Sequence, residues 1–250
     1  MQFGICPISV VPVRIQPDHV SEMSTQLLYG ELFKVLVERK QWSKISIAYD
    51  GQEGWISNDQ YMSISESDFK KIAHSKESQF TSDLVSHIDT NTGLLLPIVM
   101  GTDLKGLDCL NHTFEGNLSK GKKTREHLIE TALLYLNTPY LWGGKTPFGI
   151  DCSGFTQMVY KINGFDLMRN AIQQSKQGIA LSFIEESEPG DLAFFDNDAG
   201  IIDHVGIILK NNYIIHAHGK VRIDRLDHTG IFNSDVKRYS HKLRVIKKVI

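Results

Sequence analysis

From Thr124 onward the hydrophobic period of the chain changes once, and that change limits what this half can fold into. Thr124 is placed to cap a helix whose apolar positions Leu128, Ala132, Tyr135 and Leu136 recur at the 3.6-residue period. The run stops at Asn137-Thr138-Pro139, because proline cannot continue a helix. A loop rich in aromatics and glycine follows, Tyr140-Leu141-Trp142-Gly143-Gly144. A second helical stripe, Phe155, Met158, Val159 and Ile162, ends at Asn163-Gly164. After Glu188-Pro189-Gly190-Asp191 the pattern becomes that of strands: Leu192–Phe195, His204–Lys210, Tyr213–Ala217, Val221–Leu226 and Lys242–Ile250. Helices followed by strands give an α+β unit with an antiparallel sheet.

The first quarter reads differently. Short runs rich in β-branched and aromatic residues, Ser9–Ile15, Phe33–Val37, Ser43–Ala48 and Gly54–Ile56, are separated by turns at Tyr29-Gly30 and Asp50-Gly51. This spacing predicts a compact barrel of five or so strands over residues 1–62. Residues 63–83 are rich in serine among charges, with a polar helix around Glu66–His74. Apolar patches broken by Asn91-Thr92-Gly93 and Gly101 occupy residues 84–115. Residues 63–115 therefore read as a linker or a degenerate second β subdomain, and 116–250 as the α+β domain.

Charge and cysteine usage remove several functions. Lys and Arg number 27 against 29 Asp and Glu, a net charge of −2, so clustered positive charge for nucleic acid is not expected. The longest apolar runs, such as Leu94–Met100, fall far short of the roughly 20 residues that span a bilayer. The opening Met-Gln-Phe-Gly-Ile-Cys-Pro has no basic stretch before a long apolar one. A cytoplasmic location is the expectation, or a periplasmic or secreted one if a leader has been removed. Three cysteines, Cys6, Cys109 and Cys152, form no closed disulfide framework, and without a C-x-x-C pair no zinc or other cofactor is expected.

One of the three cysteines sits where chemistry is favoured. Asp151-Cys152-Ser153-Gly154 places a thiol at a helix N-terminus, where free backbone N–H groups and the helix dipole favour a thiolate. The same N–H groups suit an oxyanion. A cysteine nucleophile wants an imidazole to take and return a proton, and a third group to orient that ring. His204 and His216 lie 12 positions apart on the two strands of the hairpin His204–Lys210 and Tyr213–Ala217. Parity then makes a demand. A two-residue Asn211-Asn212 loop puts the two rings on opposite faces; a three-residue loop, Lys210-Asn211-Asn212, or a bulge puts them on one face. Taken singly, each residue has an ordinary explanation: free cysteine is among the most buried residue types, and a strand histidine is usually structural. His216 and His218 with Asp151 or Asp203 would also suit a metal, though no second close ligand pair supports it.

Together the motifs resemble a family. Thr138-Pro139-Tyr140-x-Trp142-Gly143-Gly144, Asp151-Cys152-Ser153-Gly154, Pro189-Gly190-Asp191-Leu192 with Phe194-Phe195, His204-Val205-Gly206-Ile207 and Ile215-His216-Ala217 are similar in order and spacing to NlpC-type cysteine peptidases, papain-like hydrolases of bacterial cell-wall peptides. The resemblance covers about 120–250. It implies Cys152 as nucleophile, His204 as general base and then acid, His216 as the orienting residue and Tyr140 as a hydroxyl near the oxyanion. Arg169-Asn170-Ala171-x-Gln173-Gln174 resembles the stretch bordering the substrate groove, with Asn170 where Asp is frequent.

The N-terminal part resembles the bacterial SH3-like module of γ-D-glutamyl-L-diamino acid endopeptidases, through Ser24–Glu31, Gly54-Trp55-Ile56 and Tyr61. In those relatives the module helps to recognise the free amine of an N-terminal L-Ala. The resemblance implies Glu31 and Tyr61 as contacts for that amine, with Asp151, Ser153 and Trp142 from the catalytic side. The implied reaction is hydrolysis of the γ-D-Glu–diamino acid bond in short murein peptides, as in recycling of wall fragments. Alternatives are an N-acetylmuramoyl-L-alanine amidase, a broader cell-wall hydrolase, and a non-catalytic wall-binding protein; intact Cys152, His204 and His216 speak against the last.

Overall fold

A computed structural model of the protein describes residues 2–75 and 78–250. Met1, Lys76 and Glu77 lie outside the described residues, the last two within the serine-rich stretch. The chain divides into two units, one up to Gly121 and one from Lys122 to Ile250.

The first unit is built on seven antiparallel strands: β1 (Gln2–Ile5), β2 (Val10–Arg14), β3 (Met23–Leu28), β4 (Leu32–Glu38), β5 (Trp42–Ile47), β6 (Glu53–Ser57) and β7 (Met62–Ile64). They run in the order β3-β2-β6-β5-β4-β1-β7. Alternation along β2 and β5 turns Val11, Val13, Ile45 and Ile47 into a core with Cys6, Leu27, Phe33 and Ile56. The thiol of Cys6 donates to Ile8 O. Gly30 and Gly51 adopt positive φ at the two turns read from the sequence. β1 and β3 were not among the strands read there, since neither run shows a clean alternation.

Residues 63–121 pack onto this sheet. α1 (Glu66–Ala73) is capped by Ser65, whose hydroxyl accepts from Asp68 N. Then come β8 (Gln79–Thr81), β9 (Val85–Asp89), β10 (Leu95–Val99), α2 (Leu107–Leu110), β11 (Thr113–Phe114) and β12 (Leu118–Lys120). Phe69, Ile72, Ile88 and Ile98 share one core with Phe3, Ile5, Tyr29 and Leu32 of the larger sheet. The segment read as a linker or degenerate subdomain is thus part of the first unit's interior.

The second unit opens with α3 (Arg125–Leu134), capped by the Thr124 hydroxyl, which accepts from His127 N at 3.3 Å. The helix stops about half a turn earlier than its stripe suggests: Tyr135 is the buried C-cap, and Leu136 is 40% exposed. β13 (Lys145–Thr146) and β14 (Gly149–Ile150) form a small hairpin ahead of α4 (Cys152–Ile162). Every residue of α4 is buried. Burial of Phe155, Met158, Val159 and Ile162 contributes about 1.5–3 kcal/mol each.

After α5 (Ala171–Gln174) come β15 (Ile179–Leu181), β16 (Leu192–Asp196), β17 (Ile202–Leu209), β18 (Tyr213–His218), β19 (Lys220–Leu226), β20 (Gly230–Asn233) and β21 (Arg238–Lys248). β21-β16-β17-β18-β19-β20 are successive neighbours, and β20 pairs back to β21, closing six strands into a barrel. Ala193, Phe195, Ile208, Ile214, Leu226, Ile231 and Ile246 form one of its cores. α4 packs against β17 and β18.

Candidate active site

The hairpin of β17 and β18 has the three-residue turn that the parity argument demands. Lys210, Asn211 and Asn212 join the strands, with Asn211 at φ 59° and Asn212 at φ 60°. Asparagine enters the left-handed region more readily than other non-glycine residues. The pairing that follows sets Gly206 opposite His216, so His204 and His216 become diagonal neighbours on one face. It is the face of Ile208 and Ile214. Gly206 leaves room for this pairing, since a Cβ there would come within 2.9 Å of His216 Cβ.

His204 Nε2 and His216 Nδ1 are 2.8 Å apart, and His216 Nε2 is 3.0 Å from Asp224 Oδ2. Asp224, on β19, also accepts from Arg222 Nε at 2.7 Å and Nη2 at 2.8 Å. Arg222 in turn meets Asp235 at 2.8 Å. A carboxylate only accepts hydrogen bonds, and this dictates every tautomer in the series. His216 carries its proton on Nε2 and accepts at Nδ1; His204 carries its own on Nε2. The Nδ1 of His204 is left with its lone pair.

Electrostatics agree with that assignment. Burial holds His204 well below the usual imidazole value, and charge on His241, His216 or His218 would lower it further. Burial also lowers His216, against the upward pull of Asp224. Burial pulls Asp224 upward, but hydrogen bonds from His216 and Arg222 outweigh it and hold the carboxylate below its ordinary value. Both rings are therefore neutral near neutral pH.

Cys152 is the first residue of α4 and is 6% exposed. Its Sγ lies 3.8 Å from Asp203 O, toward which the thiol points. The expectation that the helix start favours a thiolate is overturned by burial. Burial, then the charge of Asp151, push Cys152 up to about 12, against weaker pulls from the Val205 and Ser153 backbone and Arg169. The resting group is a thiol, which must lose its proton as it reacts.

Asp151 explains the helix start. Its Oδ1 accepts from Gly154 N at 2.6 Å, and its Oδ2 from Gly143 N at 2.8 Å. Arg169, 1% exposed, grips both oxygens at 2.9 and 2.6 Å and reaches Ser153 Oγ at 3.0 Å. These donors already fill the carboxylate that the resemblance offers to a substrate amine. Asp151 and Ser153 instead hold the loop to the helix. Gly154 is required there, since a Cβ would lie 2.3 Å from Gly144 O. Gln174 closes the arrangement by donating to Ser153 O and accepting from Thr156. Asn170 begins α5 and meets Gln173 across 3.3 Å.

Tyr140 and Trp142 line a cavity of about 930 Å³ with Cys152 and His204. Tyr140 is pinned by N–H donation to Gly219 O at 3.0 Å and by a bridge to Ile150. Burial, then the charges of Cys152 and Asp151, raise its hydroxyl to about 12, so it stays a donor. His216 lies behind His204, away from the cavity lining. Glu31 and Tyr61 belong to the first unit. There Glu31 is 4% exposed and accepts from Leu28 N, while the Tyr61 hydroxyl meets Ser43.

Two residues of the site, Asp224 and His241, carry no motif in the sequence, and a third, Arg169, has there no role of its own. Asp224 could have been found by carrying the parity argument one strand further: Ile214 pairs with Asp224, which makes Asp224 a diagonal neighbour of His216. His241 stacks on His204 with centroids 3.9 Å apart, and no local pattern announces it. In sequence Arg169 belongs only to the groove border; its grip on Asp151 spans 18 positions. His204, His216 and His241 bring ligand atoms within 4.8 Å of one another. A cation there would have to break the His204–His216 hydrogen bond, which the relay needs. His218 stacks loosely on His216, at 6.3 Å between centroids.

Residues 137–239 match the NlpC/P60 family and residues 13–60 the bacterial dipeptidyl-peptidase Sh3 domain. The chain is 28% identical to gamma-D-glutamyl-L-lysine dipeptidyl-peptidase of Bacillus subtilis, over 78% of this chain and 72% of that one. It is 26% identical to dipeptidyl-peptidase 6 of Lysinibacillus sphaericus, over 85% and 87%. In fold it is similar to the crystal structure of an NlpC/P60 family protein from Bacillus cereus, with a TM-score of 0.81, 18% identity and 99% of both chains covered.

Proposed function

Because the chain is a cysteine peptidase with an NlpC/P60 domain behind a bacterial dipeptidyl-peptidase SH3 domain, we propose that it hydrolyses the γ-D-Glu–diamino acid bond of short murein peptides with a free N-terminal L-Ala. The names of the relatives support the bond: two are dipeptidyl-peptidases, one of them acting on γ-D-glutamyl-L-lysine. The observation that carries the chemistry is the series His204–His216–Asp224, which leaves His204 Nδ1 as a base in the cavity of Cys152.

The reaction follows from the protonation states. His204 Nδ1 takes the thiol proton as Sγ bonds to the γ-carbonyl carbon of D-Glu, and the positive charge so formed is stabilised through His216 by Asp224. The carbonyl oxygen becomes an oxyanion facing the Tyr140 hydroxyl and backbone N–H groups at the start of α4. His204 then gives its proton to the departing amine of the diamino acid, and the C–N bond breaks. Water, deprotonated by His204, attacks the thioester; the L-Ala-γ-D-Glu dipeptide leaves and the thiol is restored. A free L-Ala amine marks a peptide already cut from its sugar, and a role in recycling with a cytoplasmic location is part of the same proposal.

Mass spectrometry of L-Ala-γ-D-Glu-diamino acid peptides, free or N-acetylated, tests this reading. Wild type releases L-Ala-γ-D-Glu from the free peptide, the acetylated one is cut at least about tenfold more slowly, and Cys152→Ala releases none. Equal cleavage of both peptides refutes the amine requirement, and release of L-Ala alone refutes the bond.

A further inference from the structure

Asp196 ends β16 and lines the cavity that holds Cys152 and His204. Its side chain is 6% exposed. Among the described residues, no donor reaches its buried Oδ1. Arg244 approaches Oδ2 only to 3.9 Å and is itself 63% exposed, so solvent screens most of what it offers. A buried carboxylate oxygen without a donor is costly, and in a residue that lines a cavity it is relieved by a donor entering there.

The backbone around Asp196 has been altered to place it. Phe195 pairs with His204 and Asp196 with Ile202, which leaves Asp203 as an extra residue on β17. On the other side Phe194 pairs with Val245 and Phe195 with Leu243, which leaves Arg244 extra on β21. Bulges of this kind re-aim side chains beside active sites. Charge in the cavity is also one-sided: Asp196, Asp198 and Asp203 stand against Lys242.

The side of the nucleophile on which Asp196 lies decides which part of the substrate it meets. His204 protonates the leaving amine, so the leaving diamino acid lies on the His204 side of Cys152. Asp196 follows the residue paired with His204 and lines the same cavity as His204 and Cys152. We propose that Asp196 Oδ1 receives the side-chain ammonium of the leaving diamino acid, making it a specificity-determining residue. This rests on the bond assigned above. The ammonium is common to L-lysine and meso-diaminopimelate, and a group with three N–H donors suits an acceptor that lacks one.

The test compares L-Ala-γ-D-Glu-X peptides with X as L-lysine, meso-diaminopimelate or L-norleucine, which is lysine without its terminal amine. Wild type is expected to cut the better of the two diamino peptides at least about tenfold faster, in kcat/KM, than the norleucine peptide. Which diamino peptide is faster identifies the side chain the site takes. In Asp196→Asn the preference over norleucine should collapse toward one. Because it is a ratio within one enzyme preparation, it is independent of how much of the variant folds. Equal cleavage of all three peptides by wild type, or a full preference retained in Asp196→Asn, overturns the proposal alone. No cleavage of any peptide at this bond overturns the underlying reading, and this one with it.

Discussion

Asp151 and Asp224 are both buried carboxylates gripped by an arginine, yet they serve opposite ends of the reaction. Around Asp151 the short contacts come from fixed donors, two backbone N–H groups and the fork of Arg169, whose side chain is 1% exposed, with the Ser153 hydroxyl adding a longer one of 3.3 Å. Around Asp224 one donor is an imidazole, His216, and the arginine behind it is 18% exposed. A carboxylate held only by permanent donors can do no more than fix geometry. One that shares a proton with a ring can transmit polarity to the ring beyond it. The start of α4 is thus built to stay, and the barrel end to respond. Exchanging each aspartate for asparagine separates the two.

Asp224→Asn carries the largest effect. Arg222 Nη2 holds Oδ1 while His216 Nε2 and Arg222 Nε share Oδ2, so an amide that keeps its oxygen on Nη2 sets its NH2 against His216 Nε2 and gives up the Nε contact. That ring must then carry its proton on Nδ1, which forces the His204 proton onto Nδ1, where the base is needed. A fall in kcat of about 10²–10⁴-fold is expected, with the fold retained. Steady-state kinetics across pH check it. Activity within a factor of about two of wild type would mean that Asp224 merely fills space.

Asp151→Asn should reverse the balance between stability and rate. Arg169 would be left buried opposite a neutral amide, and one oxygen that caps α4 would become a donor. Breaking a buried pair in this way costs about 3–5 kcal/mol, which denaturant unfolding reads directly. If the variant is as stable as wild type and inactive, Asp151 acts on substrate, and the contrast drawn with Asp224 collapses.

How much of this could be read from the sequence differs along the same lines. The second unit declared itself through period: the α3 stripe, the α4 stripe and the strands after Gly190 lie close to where they were expected. The hairpin parity even predicted which loop would bring His204 and His216 together. What stayed hidden depends on chain segments meeting from a distance. Arg169 reaches Asp151 across 18 positions, and His241 reaches His204 only because β21 closes the barrel. The thiol was misjudged for a related reason. The helix dipole is local and visible in a motif, whereas the burial that outweighs it comes from the whole packed unit.

The smallest effect concerns His241, which belongs to neither aspartate but stacks on the ring that Asp224 polarises. Burial, then the charges of His216 and His218, lower it from 6.5 to about 3, against the pull of Asp224. The unfolded chain takes up this proton near pH 6.5, while the folded chain refuses it until about pH 3. Stability from this group is therefore complete above pH 6.5 and is lost as pH falls below it. His241→Gln removes one such proton, so unfolding free energy should decline less steeply with acid, by at most about 1.4 kcal/mol per pH unit. Denaturant unfolding of both proteins between about pH 4 and 6.5 measures the difference. Parallel slopes would show that His241 takes its proton in the folded state as readily as in the unfolded one. The stacked face of His204 would then be charged in mild acid, and the barrel end would respond to pH through its neighbour as well as through Asp224.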